Sequence, residues 1–421
     1  MNKKEIRLIG QGTYGCVFKP EILCKTGEPG SVKYLTKLQV ADNYETAEAN
    51  IGKRVQQIPN YQYFFAPILE TCDVKRDVIK KTKVERCMAI KKNSTRLKSA
   101  KLRYVGDLTF GDYFYSLLYK STKKYIEVLP LMHYYLLNSI QLLVDKGIVH
   151  LDLKEDNIIY DSTNDVMIII DFGFATFVED LIASKYVNTT SPFYISPKIY
   201  DVWCIEITIM FYISKFIRDV EAPTGSYRVD KKRFKQTIEH MDIERLKQIC
   251  RVFVQENNVF KLPCFTKNIK DKFETILQKW VESFNGKTWV HLWETLYATH
   301  KSWDNYSLTI LILYELSQSI LIVDDPDNDI FLSKYIQLLI ETITHEPGTR
   351  STPKELANSI KNIFSKIDRD EYNRTLTGIN AKKTKQLLDQ IKHKKRQHTL
   401  DQLEEDAQLR TNFQRFKKKD A

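Results

Sequence analysis

The sequence predicts an α+β fold in two lobes, a small antiparallel β-sheet with one helix followed by a mostly helical larger part. Three observations carry this. The first forty residues alternate apolar and polar side chains around glycines, as strands joined by tight turns do. One amphipathic stretch follows at 42–58, and from residue 130 onward the apolar period is helical almost throughout. With 421 residues, 43% of them hydrophobic, the chain can bury a large core, which excludes disorder along its whole length.

The elements follow in order. Residues 7–10, 16–21 and 32–40 read as strands, with Gly27-Glu-Pro-Gly30 closing the second hairpin. Over 42–58, Ala47, Ile51, Val55 and Ile58 recur at helical spacing, with Asp42 or Asn43 as N-cap and Pro59-Asn60 as the stop. Residues 102–107 read as the last strand of the small lobe, before a helix at 108–119. The run 130–146 is apolar nearly all round, so it predicts a central buried helix ended by Gly147. Residues 306–322 repeat that pattern, and beyond 369 the chain turns polar and Lys-rich with no evident core face.

Charge is concentrated in two segments. The net +11 comes from residues 75–103, with twelve basic and two acidic residues, and from 381–421, with twelve against six. A whole-surface polycation is excluded, whereas local docking of nucleic acid or another polyanion stays open. No apolar signal core opens the chain, and 306–323 is interrupted by Glu315, Ser317, Gln318 and Ser319, so the expectation is a soluble protein without a membrane span. Seven cysteines without a CxxC pair fit neither a disulfide framework nor a zinc site, which predicts a reducing, cytoplasmic compartment.

Gly10-Gln-Gly12-Thr-Tyr-Gly15-Cys-Val17 is a GxGxxGxV loop between two predicted strands, where absent side chains let backbone amides approach phosphates. A dinucleotide-binding loop of similar spelling would run from strand to helix. Alone, the loop reads equally well as a glycine-rich hairpin. Further along, His150-Leu-Asp152-Leu-Lys154-Glu-Asp-Asn157 matches HxDxKxxN, and Asp171-Phe172-Gly173 ends an apolar strand fourteen residues later.

Together these motifs resemble the eukaryotic-type Ser/Thr protein kinases, and the resemblance implies a bilobal kinase fold that uses ATP and Mg2+ and acts on protein substrates. It implies that Ile9, Gly10, Gly12, Gly15 and Val17 cover the nucleotide. Asp152 would be the proton acceptor, Lys154 would neutralise the transferring phosphoryl group, and Asn157 with Asp171 would hold the metal. Phe172 and Gly173 would open the activation segment. Ser191-Pro-Phe-Tyr-Ile-Ser-Pro197-Lys198 is similar to the family's T-P-x-Y-x-A-P-E, placing Ser191 where a hydroxyl bonds the catalytic Asp and Lys. Glu346-Pro-Gly-Thr-Arg350 resembles a late element whose Arg pairs with the Glu of A-P-E; that Glu is Lys198 here, so Arg350 needs another acid.

Two lysines of the same strand parity, Lys33 and Lys37, compete as the ATP-orienting residue, and Lys37 is preferred. Its helix partner is expected to be Glu48, which lies about 60° from the Ile51 stripe, against about 120° for Glu45. Asp304 is preferred over Asp201 as the start of the helix that anchors the larger lobe. The expected organisation is a small lobe at 1–106 with a basic insertion at about 75–101, large-lobe parts at 107–199 and 301–368, a helical insertion at 200–300 and a basic helical tail at 369–421. Trimmed architecture of this kind is similar to kinases of nucleo-cytoplasmic large DNA viruses. Two other functions are compatible with parts of the pattern, a pseudokinase scaffold and a small-molecule phosphotransferase. Leu151 stands where the family's H-R-D has the Arg that receives an activation-loop phosphate, so activity is expected not to require that phosphate.

Overall fold

The computed structural model describes residues 5–11, 15–40, 43–74, 87, 90, 97–181, 199–216, 231–322, 330–366, 382–390 and 392–393. The small lobe begins with β1 (Arg7–Gln11), β2 (Gly15–Lys19), β3 (Tyr34–Val40) and helix α1 (Asn43–Val55), followed by β4 (Phe65–Ala66), β5 (Ile68–Val74) and β6 (Leu97–Arg103). Five of these strands form one antiparallel sheet of order β1-β2-β3-β6-β5. Period-two alternation sorts its faces. Cys16, Phe18 and Leu38 point into a small core with Val74 and Leu97, while Val17 and Lys37, directly paired across β2 and β3, occupy the other face. A Cβ on Gly15 would come within 2.5 Å of the Leu38 carbonyl, so only glycine allows this strand approach.

Strand β6 ends at Arg103, so the expected strand over 102–107 shrinks to its first two residues and the rest is the link between lobes. The structure also corrects the reading of the cysteines. Cys16 is bonded to Cys87 and Cys24 to Cys72 as disulfides, with Cα separations of 5.9 and 6.4 Å; these cysteines lie far apart in sequence and meet only in the folded small lobe.

The large lobe begins with α2 (Phe110–Lys120), N-capped by Thr109, and α3 (Thr122–Asp145), N-capped by Ser121. Helix α3 starts eight residues before the expected Pro130, which lies inside it. A proline there deletes one backbone hydrogen bond, but burial of Tyr125, Ile126 and Leu129 outweighs the loss. Strands β7 (Ile148–Val149), β8 (Ile158–Asp161), β9 (Val166–Ile170) and β10 (Thr176–Phe177) frame the polar turn at 150–157, β8 and β9 as a hairpin and β7 with β10. Helices α4 (Ile205–Phe216), α5 (Lys231–Phe234), α6 (His240–Glu256), α7 (Lys267–Glu282), α8 (Trp289–Ala298), α9 (Trp303–Ile322), α10 (Ile330–Thr344) and α11 (Pro353–Lys366) complete it. The helices between residues 205 and 298 share one continuous apolar core with α3 and α9. The tail also contributes: residues 382–390 are helical, and Leu387 is buried against that core. No helix among the described residues is long and apolar enough to cross a membrane.

One buried group makes stability depend on pH. His133 on α3 is fully buried, its Nδ1 lies 2.7 Å from the Tyr335 hydroxyl on α10, and burial pushes its pKa down to about 3. The unfolded chain takes up this proton near pH 6.5 and the folded chain does not, so stability falls as pH drops from about 6.5 toward 3. Between pH 7.5 and 5.5, before most carboxylates titrate, urea unfolding is expected to weaken by about 1.4 kcal/mol per pH unit below 6.5, and His133→Asn to flatten that slope. An unchanged slope in the variant would exclude His133 as the source.

Candidate active site

The site lies where the open face of the sheet meets the polar turn of the large lobe. Lys37, on β3, reaches Glu48 on α1 through both carboxylate oxygens, at 2.9 and 3.0 Å, and reaches Asp171 Oδ1 at 2.9 Å. Helix α1 can sit this close because Gly52 packs against β5, where a Cβ would come within 2.5 Å of the Ile68 carbonyl. Gln39, two residues along the strand, donates to Glu48 at 3.3 Å. Burial would lower the pKa of Lys37, but the charges of Glu48 and Asp171 outweigh it and hold the ammonium protonated above its ordinary value. In return, Lys37 holds the Asp171 carboxyl below the usual range against the opposing effect of burial. Lys33, the rejected candidate, is exposed in the turn that precedes β3.

Asp171 adopts the left-handed backbone region, φ 56°, and its Oδ1 accepts from the Gly173 amide at 3.4 Å. Phe172 is buried against the ring of His150, at 5.0 Å between centroids. These contacts turn the carboxylate out of the apolar strand β9, leaving it about half exposed.

Asp152 is buried and engaged on both oxygens. Lys154 Nζ lies 3.0 Å from Oδ2, Asn157 Nδ2 donates to Oδ2 and to the Asp152 carbonyl at 2.8 Å each, and the Tyr200 hydroxyl donates to Oδ1. The loop itself hangs on α9. Asp304 accepts from the backbone amides of His150, at 2.7 Å, and Leu151, at 2.9 Å, while Trp203 Nε1 donates to the Leu151 carbonyl at 2.7 Å. Burial pushes the Asp304 carboxyl above its usual range, and the two amides oppose that. Leu151 is held between them at φ 65°, a strained conformation for a branched residue that needs such support.

Sequence reasoning missed two members of this assembly. Arg350 is fully buried and pairs with Glu206, at 3.0 and 3.1 Å, and also donates to Ser302. Glu206 is the acid Arg350 required, eight residues past Lys198, a displacement the ungapped motif match could not reveal. Tyr200 is the other. A lone aromatic after Pro197 carries no motif signal.

Of the residues expected to cover a nucleotide, Ile9 is half exposed, Gly10 and Gly15 flank the loop tip and Val17 faces the site side of the sheet. Gly12, Ser191 and Pro197 lie outside the described residues. The described residues contain no cluster of three His, Cys, Asp or Glu side chains able to cage a metal. Asp171 and Asn157 do fit a Mg2+ ion that keeps water and phosphate oxygens as its remaining ligands.

Comparison with known proteins agrees with this geometry. The protein kinase domain model matches residues 3–359. The chain is 30% identical over 148 residues to Serine/threonine-protein kinase PSK2 of Saccharomyces cerevisiae, covering 32% of this chain and 12% of that protein. It is 32% identical over 93 residues to Calcium/calmodulin-dependent protein kinase type I of Schizosaccharomyces pombe, covering 19% of this chain and 27% of that one. With the family model spanning most of its length, the chain belongs to the protein kinase domain family.

Proposed function

We propose that the protein is a Ser/Thr protein kinase, moving the γ-phosphate of ATP to Ser or Thr hydroxyls of protein substrates. The observation that carries this is the contact of one largely buried lysine with both Glu48 and Asp171, which ties the sheet, the helix and the metal-binding loop into one electrostatic unit. Bound Mg2+ would supply charge neutralisation on the β- and γ-phosphates, with Asp171 and Asn157 as its protein ligands. Lys37 would orient the phosphates. Asp152 would orient the acceptor hydroxyl and take its proton, and Lys154, 3.0 Å from Asp152, would offset charge on the transferring group. The relatives' names and Lys154 support Ser/Thr as acceptors.

The scaffold alternative loses its main support, because Glu206 supplies the acid that Lys198 does not. Leu151 is buried and apolar and offers no cationic receiver for an activation-loop phosphate, which supports activity independent of that modification. The resemblance to kinases of large DNA viruses rests on the trimmed architecture and the insertion at about 75–101. Cytoplasmic action loses the cysteine argument through the two disulfides.

The test is incubation of the purified protein, before and after phosphatase treatment, with Mg-ATP and a mixed protein substrate set. Phosphate is expected on Ser and Thr, at initial rates that agree within about tenfold, or about 1.4 kcal/mol in barrier. Transfer only to small molecules, or none at all, would reject the assignment. A larger loss on dephosphorylation would reject phosphate independence.

A further inference from the structure

The Tyr200 contact with Asp152 belongs to a rigid bracket. The backbone amide of Trp203 donates to the Tyr200 carbonyl at 2.8 Å, and the two rings meet edge to face at 5.4 Å. Trp203 in turn holds the Leu151 carbonyl, so the turn of residues 200–203 grips the catalytic loop at two adjacent residues. Both flanks of the turn are fixed. Ser307 on α9 donates to the Val202 carbonyl at 2.6 Å. The Asp201 carboxylate accepts from Asn258 through its backbone and its side chain, at 3.1 and 2.7 Å, and Asn257 donates to the Asp201 carbonyl at 3.2 Å.

We infer that Tyr200 is a positioning residue for the reaction, its hydroxyl fixing the Asp152 carboxylate in the role that the motif match gives to Ser191. Glu206 moves in the same direction, taking the ion pair with Arg350 that the same match gives to position 198. Two anchoring roles are thus displaced by eight or nine residues toward Tyr200 and Glu206, both of them described and both making the contacts their roles require. Burial, then the Asp152 carboxylate, raises the pKa of the Tyr200 phenol, so it remains a donor throughout the physiological range. The donor leaves Oδ2 with Lys154 and Asn157 and stops rotation of the carboxylate about its Cβ–Cγ bond. A phenol held between the Trp203 ring and the Asp152 carboxylate in this way serves as a fixed strut, not as an acceptor that must leave to release product.

This inference rests on Asp152 being the group that orients the acceptor hydroxyl, so Asp152→Asn is measured beside Tyr200→Phe. Tyr200→Phe removes one oxygen and keeps the ring against Trp203. The expected result is a kcat about 10- to 100-fold lower, the rate equivalent of one lost charge-assisted hydrogen bond, with KM for ATP and for protein substrate unchanged. Affinity for a fluorescent ATP analogue and the melting temperature should also be unchanged, which a merely structural role would not leave so. Full kcat in Tyr200→Phe with an inactive Asp152→Asn would overturn the inference. Full activity in both would instead overturn the role of Asp152. Phosphate found on Tyr200 by mass spectrometry after incubation with Mg-ATP would overturn the strut and make the residue an acceptor. A joint fall of kcat, nucleotide affinity and melting temperature would reduce Tyr200 to a fold residue and equally overturn it.

Discussion

Asp171→Asn is expected to lower kcat by at least about a thousandfold, some 4 kcal/mol in barrier, while the protein still folds and Lys37 still pairs with Glu48. The reasoning is electrostatic. Among the described residues, Asp171 is the only large-lobe carboxylate that touches Lys37, and under the proposed function it also balances the metal's charge. An amide has nearly the same shape and tolerates the left-handed backbone at φ 56°, since Asn is enriched there, and its oxygen can still accept from the Gly173 amide. Charge is therefore lost without a change of fold. Steady-state kinetics at saturating ATP, alongside a thermal melt, decide the matter; activity within tenfold of the parent would remove Asp171 from the reaction.

The second large effect is on stability. Arg350 and Glu206 are both fully buried, so removing one leaves the other as an uncompensated charge in the core. Arg350→Met is expected to cost about 3–5 kcal/mol in urea unfolding. The double variant Arg350→Met with Glu206→Leu should recover much of this, because neither charge then remains buried and the methylene volume is kept. A single-variant loss below about 1 kcal/mol would show that Glu206 is solvated or paired elsewhere in solution.

What could be read in advance separates by distance along the chain. Gly10, Gly15, Asp152, Asn157 and Asp171 stand in short motifs of fixed local spacing, and the structure pairs Asn157 with Asp152 and Asp171 with Lys37. Lys37 and Glu48 were legible from strand parity and helix phase, which are also local. Asp304 was reached from its distance to Arg350, and its two hydrogen bonds to the catalytic loop span more than 150 residues. Glu206 and Tyr200 were not legible. Their partners lie 144 and 48 residues away, and an ungapped motif match cannot show that an anchor has slipped eight positions. The disulfides failed for the same reason, since their closures span 71 and 48 residues. Strand β5 was not assigned from the pattern; its outward residues Glu70 and Asp73 depress the apolar signal that sheet pairing overrides.

The hold of Asp304 on the amides of His150 and Leu151 has a consequence for biosynthesis. The catalytic loop leaves the ribosome 154 residues before the carboxylate that fixes it, and Glu206 precedes Arg350 by 144. At about 5–20 residues per second, the nascent chain spends on the order of ten seconds or more with a complete small-lobe sequence, an unsupported loop and an unpaired acid destined for the core. Over that interval the loop lacks the support that the proposed function requires, and the apolar faces of α3 and α4 have not yet met all of their core partners, which invites chaperone capture. A chain stalled before residue 300 should therefore be inactive and chaperone-bound in a translation extract, and one released after residue 366 active.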